Sequence, residues 1–139
     1  YVADAEGLLR AFDLPNAPNG DLTLKWRRKL PGSLRAPLAV AHGFAYAVDG
    51  KGDAFALQTQ DGSLVWKTAL DGGGAVAPLV ADAGAVTAVA FAGDERLVVF
   101  DAAASALSGS AVPLWSWRAA APILDQAADL AGAQLLVLD

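Results

Sequence analysis

The 139-residue sequence predicts an all-β protein of the β-propeller type, built from blades of four antiparallel strands over about three periods. The first observation behind this is a recurring stretch. Gly52-Asp-Ala-Phe-Ala-Leu-Gln-Thr-Gln-Asp-Gly-Ser-Leu-Val-Trp66 is followed by Ala77-Pro78-Leu79. An upstream copy runs through Gly7-Leu-Leu-Arg-Ala-Phe-Asp13, Gly20, Trp26 and Ala36-Pro37-Leu38. A downstream copy runs through Glu95-Arg-Leu-Val-Val-Phe-Asp101, Gly109, Trp115 and Ala121-Pro122-Ile123. The second observation is spacing: Pro37 and Pro78 stand 41 residues apart (78 − 37), Pro78 and Pro122 stand 44 apart (122 − 78). The third is that each period holds several short strand patterns with turn residues between them, the signature of a propeller blade.

The best copy shows the strands in order. Phe44-Ala-Tyr-Ala-Val-Asp49 reads as a strand, Asp49-Gly50-Lys51-Gly52 as a tight turn that needs positive φ, and Asp53–Gln58 as the returning strand. Asp61-Gly62 is a second turn. Leu64, Trp66, Thr68 and Leu70 then alternate onto one face, matched in the first copy by Leu22, Leu24, Trp26, Arg28 and Leu30. After Asp71-Gly-Gly-Gly74, a fourth strand is expected over Val76–Ala81, with its proline at the strand start. The whole chain, 1–139, reads as one partial propeller with periods 1–43, 44–84 and 85–132, a further period starting at 133–139. Tyr1-Val2-Ala3-Asp4 and Leu135-Leu-Val-Leu-Asp139 occupy the same point of the repeat, so the chain is expected to be part of a seven- or eight-bladed propeller.

Between the second strand of each hairpin and the Trp strand, the loops differ in length. Leu14-Pro-Asn-Ala-Pro-Asn19 and Ala102–Val112 exceed Thr59-Gln60-Asp61, which maps insertions to one rim. Ala102–Leu107 and Leu124–Leu130 also satisfy helix propensity; the second is read as irregular strand.

Composition narrows the function. The net charge of −5 argues against nucleic acid as a partner, because phosphate binding draws on clustered Lys and Arg. With no cysteine, neither a disulfide nor a thiolate metal site is available. No apolar run is long enough to cross a membrane as a helix.

No residue set specifies a reaction, so no catalytic, cofactor-binding or metal residue is expected. His42, the one histidine, sits beside Gly43 in a turn with no nucleophile elbow in the chain. Gly50-Lys51-Gly52 lacks the glycines of a phosphate loop. Asp49, Lys51 and Asp53 have calcium-loop spacing, yet a lysine stands at a ligand place and Gln60 where a bidentate acid belongs. Asp94 and Glu95 are adjacent, which in extended chain points them to opposite faces. Lys25, Arg27 and Lys29 alternate onto a solvent face and are a candidate contact for an acidic protein surface, while Arg28 falls on the tryptophan face. Trp26, Trp66 and Trp115, with Gly20, Gly62 and Gly109, are expected to be structural anchors of the repeat, each indole filling the gap between neighbouring blades. Trp117 follows on the face of Trp115.

These residues resemble the pyrroloquinoline-quinone-type (PQQ-like) β-propeller repeat, whose docking motif is Ala, x, Asp or Asn, two residues, Thr, Gly, three residues, Trp. Ala56-Leu-Gln58-Thr-Gln-Asp61-Gly62-Ser-Leu-Val-Trp66 keeps its length and its Ala, Gly and Trp, departing at Gln58 and Asp61. Ala11 and Asp13 fit in the first copy; Asp101, Gly109 and Trp115 remain in the third. The resemblance implies one of two activities. Quinoprotein alcohol and sugar dehydrogenases hold quinone and calcium at the propeller axis with an acidic ligand set and, often, adjacent cysteines, none of which can be placed here. Non-catalytic members include the lipoprotein of the bacterial outer-membrane β-barrel assembly machinery and sensor domains of receptor kinases. The chain is similar to the non-catalytic group, which implies a protein-binding scaffold of the periplasm or cell envelope with no cofactor. Its partners would be other proteins and the remaining blades of a longer chain; PQQ and calcium enter only if it is part of a dehydrogenase.

Overall fold

The structure is a computed structural model and describes residues 1–15, 20–73, 76–83, 85–129 and 134–138. Among the described residues, thirteen strands and one helix follow in order. β1 (Val2–Ala3), β2 (Leu8–Asp13) and β3 (Thr23–Lys29) form the first sheet, in that order. β4 (Ala39–Ala41), β5 (Phe44–Val48), β6 (Asp53–Gln58) and β7 (Leu64–Ala69) form the second. β8 (Leu79–Ala83), β9 (Val86–Ala92), β10 (Arg96–Asp101) and β11 (Pro113–Arg118) form the third, with α1 (Ala102–Ser108) inserted before β11. β12 (Asp125–Asp129) and β13 (Gln134–Leu138) pair with each other. Every pairing is antiparallel between chain neighbours.

Two expectations are corrected. The fourth strand of each period does not close its own sheet. β8 starts at Leu79, three residues after Val76, and pairs with β9, so the second and third sheets take their innermost strands, β4 and β8, from the period before. Pro78, which has no N–H to give a ladder, lies just outside that strand and is buried. The all-β class holds, and the short helix that Ala102–Leu107 allowed on propensity forms as α1. Asp101 caps α1 by accepting from the Ala104 amide at 2.8 Å, and Gly109 ends it in the left-handed conformation, φ 67°. Leu124–Leu130, by contrast, contributes strand β12 over the residues described.

The second correction concerns alternation. A bulge interrupts the ladder at the same place in all three sheets, between Ala11 and Phe12, Ala56 and Leu57, and Val99 and Phe100. Trp66 therefore pairs with Ala56 while Leu64 pairs with Leu57, and Trp26 pairs with Ala11 while Leu24 pairs with Phe12. The extra residue flips the face, so Leu24 and Leu64 lie opposite their tryptophans and are 47 % and 43 % exposed.

The sheets stack face on face. Leu9, Ala11 and Trp26 of the first sheet pack on Ala47, Phe55 and Leu57 of the second. Tyr46, Ala56 and Trp66 on the second sheet's other face pack on Val89, Phe91, Val98 and Phe100 of the third. Trp66 meets Phe91 edge-on at 5.7 Å and 73°, and Phe91 meets Phe100 likewise at 5.9 Å and 69°. Such geometry adds about 0.5–1.5 kcal/mol per pair to the burial itself. A third apolar layer, with Leu97, Val99, Ala119 and Ile123, covers the far face of the third sheet. The short inner strands meet near the axis, β8 lying against both β4 and β12.

Candidate protein-interaction surfaces

Strand polarity sorts the connections onto two rims. One carries the β4–β5 turn at His42-Gly43, the β6–β7 turn at Thr59–Gly62, the β8–β9 turn and α1; the other carries the hairpin turns Asp4–Gly7, Asp49–Gly52 and Gly93–Glu95 with the crossovers between sheets. The insertions expected on one rim are therefore on the first, where α1 stands in the place of the tight Thr59–Gly62 turn. The loop expected at Leu14–Asn19 lies largely outside the described residues.

Each rim is tied across sheets by side chains. On the first, the Trp26 indole Nε1 donates to the Thr59 carbonyl at 2.9 Å, and Arg28 Nη1 donates to the Gly62 carbonyl at 3.3 Å. Gly62, φ 71°, lies under the indole: a Cβ there would come within 2.6 Å of Trp26 Cε3. Further along this rim, His42 Nε2 meets Asp82 at 3.2 Å, linking the second and third sheets. The Thr87 hydroxyl, then the charge of His42, holds the Asp82 carboxyl below its ordinary value. On the other rim Asp71 and Arg96 pair at 2.6 Å.

The candidate anchors are placed unevenly. Trp26 and Trp66 are 8 % and 2 % exposed. Trp115 departs from the expected interior position: it is 47 % exposed, and Trp117 is 41 % exposed. Both stand opposite Val99 and Leu97, on the far face of the third sheet. Gly62 lies under Trp26; Gly109 caps α1 and has only the Val65 carbonyl near, at 3.9 Å; Gly20 is an exposed loop residue.

The basic strand β3 is the outer strand of the first sheet. Lys25, Arg27 and Lys29 are all exposed. Lys25 lies 3.8 Å from Asp13, and Lys29 Nζ donates to the Glu6 carbonyl. Arg27 sits across from Arg10, itself held by Asp4 at 3.2 Å, and has no ion-pair partner among the described residues. That leaves one exposed guanidinium free to form bidentate bonds with a carboxylate. Near the axis, an open groove of about 620 Å³ runs between the first two sheets, lined by Tyr1, Val2, Leu34, Arg35, Pro37 and Val40.

The acids with calcium-loop spacing are engaged within the fold. Asp49 Oδ1 accepts from the amides of Lys51 and Asp53, which commits it to the turn, and Asp53 is paired with Lys67 at 2.7 Å. Among the described residues no group of three His, Asp or Glu side chains is arranged to hold a metal ion. No helix among them is long and apolar enough to cross a membrane.

Stacked antiparallel sheets of three and four strands with a tryptophan bridging each gap define the class: this is part of a β-propeller. The chain belongs to the family described as outer membrane protein assembly factor BamB, whose model matches residues 5–138. Among solved structures it is similar to BamB from Moraxella catarrhalis, at 24 % identity and TM-score 0.64 over 82 % of this chain and 32 % of that one. It is similar also to BBS1N in complex with ARL6DN, at 14 % identity and TM-score 0.71 over 98 % and 41 %. A europium-containing methanol dehydrogenase follows at 20 % identity and TM-score 0.54 over 80 % and 21 %. At these identities the structures speak to the fold, and the chain spans well under half the length of each. No curated protein matches.

Some of this surface was hidden from sequence reasoning. The His42–Asp82 pair joins a turn to strand β8, 40 residues apart (82 − 42), and nothing local announces it. The bulges had a signal: the docking motif places Ala56 and Trp66 on one face while Leu64 alternates with the same parity, and the turn cannot satisfy both.

Proposed function

We propose that this chain is part of a non-catalytic β-propeller that binds proteins in the bacterial cell envelope, similar to outer-membrane β-barrel assembly lipoproteins. The family match over residues 5–138 carries the reading. The rigid stack of sheets supports it, since the two rims and the outer strand then present fixed surfaces. The exposed Lys25, Arg27 and Lys29 on β3 are the surface assigned to an acidic partner. A neighbouring propeller fold is solved in complex with another protein, as BBS1N with ARL6DN, which fits a binding role. In this reading the protein works in the periplasm and takes no cofactor.

The test is binding to a purified barrel-assembly complex, comparing the natural protein with the triple variant Lys25→Glu, Arg27→Glu, Lys29→Glu. Binding weakened at least about tenfold, and a shallower salt dependence, are expected. Unchanged binding by the variant removes β3 from the interface, and no binding by either removes the reading.

One observation favours a second reading, a segment of a quinoprotein dehydrogenase: the structural likeness to methanol dehydrogenase. Dye-linked alcohol oxidation that requires added quinone and metal would establish it; the scaffold reading expects none.

A further inference from the structure

We propose that Asp71-Gly72 is a site of covalent modification, the Asp-Gly step at which this folded chain converts aspartate to isoaspartate. The reaction needs the nitrogen of the following residue to reach the aspartate Cγ, so it is easiest before glycine, which puts no Cβ in the way. The sequence offers three such steps, Asp49-Gly50, Asp61-Gly62 and Asp71-Gly72. The fold treats them differently.

At the first two, both reacting groups are engaged. The Gly50 amide donates to the Ser33 carbonyl at 2.7 Å, and the Gly62 amide to the Gln58 carbonyl at 2.9 Å. Asp49 Oδ1 accepts from the amides of Lys51 and Asp53, and Asp61 Oδ1 accepts from the Ser63 amide at 2.8 Å. Each carboxyl is thus held by amides beyond its own glycine. Asp49 is in addition fully buried.

Asp71-Gly72 lies in the crossover from the second sheet to the third and is built the other way. The Gly72 amide has no hydrogen-bond acceptor among the described residues, and no main-chain amide among them holds the Asp71 carboxyl. The Asp71 side chain is 66 % exposed, and what restrains it is the Arg96 guanidinium at 2.6 Å. Asp71 also has φ 59°, a left-handed conformation that L residues seldom adopt. The product removes this constraint, because its chain runs through Cβ and Cγ.

In the first step the Gly72 nitrogen bonds to Cγ of the protonated Asp71 carboxyl, and the amide proton leaves with the carboxyl hydroxyl as water. Water then adds to the resulting succinimide at the Asp71 main-chain carbonyl carbon and breaks its bond to the Gly72 nitrogen. The chain continues through Cγ, and the carboxylate set free is the main-chain one. Water is the only co-reactant. Because the carboxylate has moved, the Arg96 contact that ties the second sheet to the third on that rim is lost. The inference rests on this crossover alone and is independent of the envelope role proposed above.

The experiment is incubation of the protein that carries this chain at about pH 7.5 and 37 °C, folded and in denaturant, with isoaspartate located by peptide mapping over weeks. In denaturant the three steps are expected to react within about threefold of one another; in the folded protein Asp71 reacts at least about tenfold faster than Asp49 or Asp61. Arg96→Gln frees the carboxyl and is expected to speed the reaction at Asp71 while Asp49 and Asp61 stay slow. A variant that reacts fast at all three has unfolded, and the ratio in the natural protein then decides. Asn19-Gly20 reaches the same product by losing ammonia and gains mass in doing so, which the map separates. Equal rates at the three steps of the folded protein overturn the proposal, as does isoaspartate that forms at Asp71 only in denaturant. So does an Arg96→Gln protein, slow at Asp49 and Asp61, whose Asp71 rate is unchanged or lower.

Discussion

The Trp26 indole reaches across the gap between the first two sheets and donates to the Thr59 carbonyl at 2.9 Å, its ring resting on Gly62. One side chain thus supplies a hydrogen bond, a flat contact and apolar burial to the neighbouring blade. Stability in this chain is carried between sheets as much as within them.

Truncating the indoles separates the buried anchors from the open one. Trp66→Ala removes an indole that touches Tyr46, Phe91 and Phe100, and is expected to cost about 3–5 kcal/mol. Trp115→Ala, at a half-exposed position, costs about 1 kcal/mol in the monomer. Urea unfolding at a concentration where the chain is monomeric measures both.

Two glycines share a backbone conformation and differ in what lies over them. Gly43, φ 82°, has nothing within 4 Å of a new Cβ, so Gly43→Ala costs the left-handed strain alone, about 1–2 kcal/mol. Gly62→Ala meets the Trp26 ring as well, adding about 1–3 kcal/mol of overpacking. A larger loss for Gly62→Ala, together with a red shift of tryptophan emission, checks the contact.

Asp49 is fully buried, and its Oδ2 has no hydrogen-bond partner, while Oδ1 serves the amides of Lys51 and Asp53. Asp49→Ala strands both amides and is expected to cost about 2 kcal/mol. Asp49→Asn keeps the Oδ1 acceptor for both amides, so its urea midpoint at pH 7 is expected to stay well above that of Asp49→Ala.

Acid weakens the fold through three hydrogen-bonded carboxylates. The Leu8 amide and then Arg10 lower the Asp4 carboxyl, the Ser63 amide lowers Asp61, and the Thr87 hydroxyl lowers Asp82, each from an ordinary 3.8. Folded values below unfolded ones mean that the stabilisation is fully present above 3.8 and is lost as pH falls through the folded values. Urea midpoints are therefore expected to be level down to about pH 4.5 and to fall below that, with a shallower fall in Asp61→Asn.

Much of the fold was legible because the repeat writes it three times. Asp49-Gly50 and Asp61-Gly62 are turn signals with a mechanism, and the Trp period set the sheet spacing. What failed had identifiable physical causes. Period-2 alternation cannot anticipate a bulge, so Leu24 and Leu64 were assigned to the wrong face. The period does not say which sheet a strand joins, so β8 was given to the second sheet when its ladder runs to β9. Trp115 has the motif position of Trp26 and Trp66, but burial depends on a neighbouring surface that no local residue encodes. The basic strand was legible as Lys25, Arg27 and Lys29; that only Arg27 lacks a partner depends on Asp13 and Glu6, brought near by the first hairpin.

The most direct measurement of the protein-binding role is photo-crosslinking in living cells from position 27. A photoreactive residue replaces Arg27 in the protein that carries this chain, with Lys51 on a hairpin turn as the control position. A discrete crosslink from position 27 to a component of the barrel-assembly machinery, absent from position 51, is the predicted result. No crosslink from position 27 in a folded, envelope-localised protein, together with quinone-dependent dye reduction by the same preparation, would contradict it.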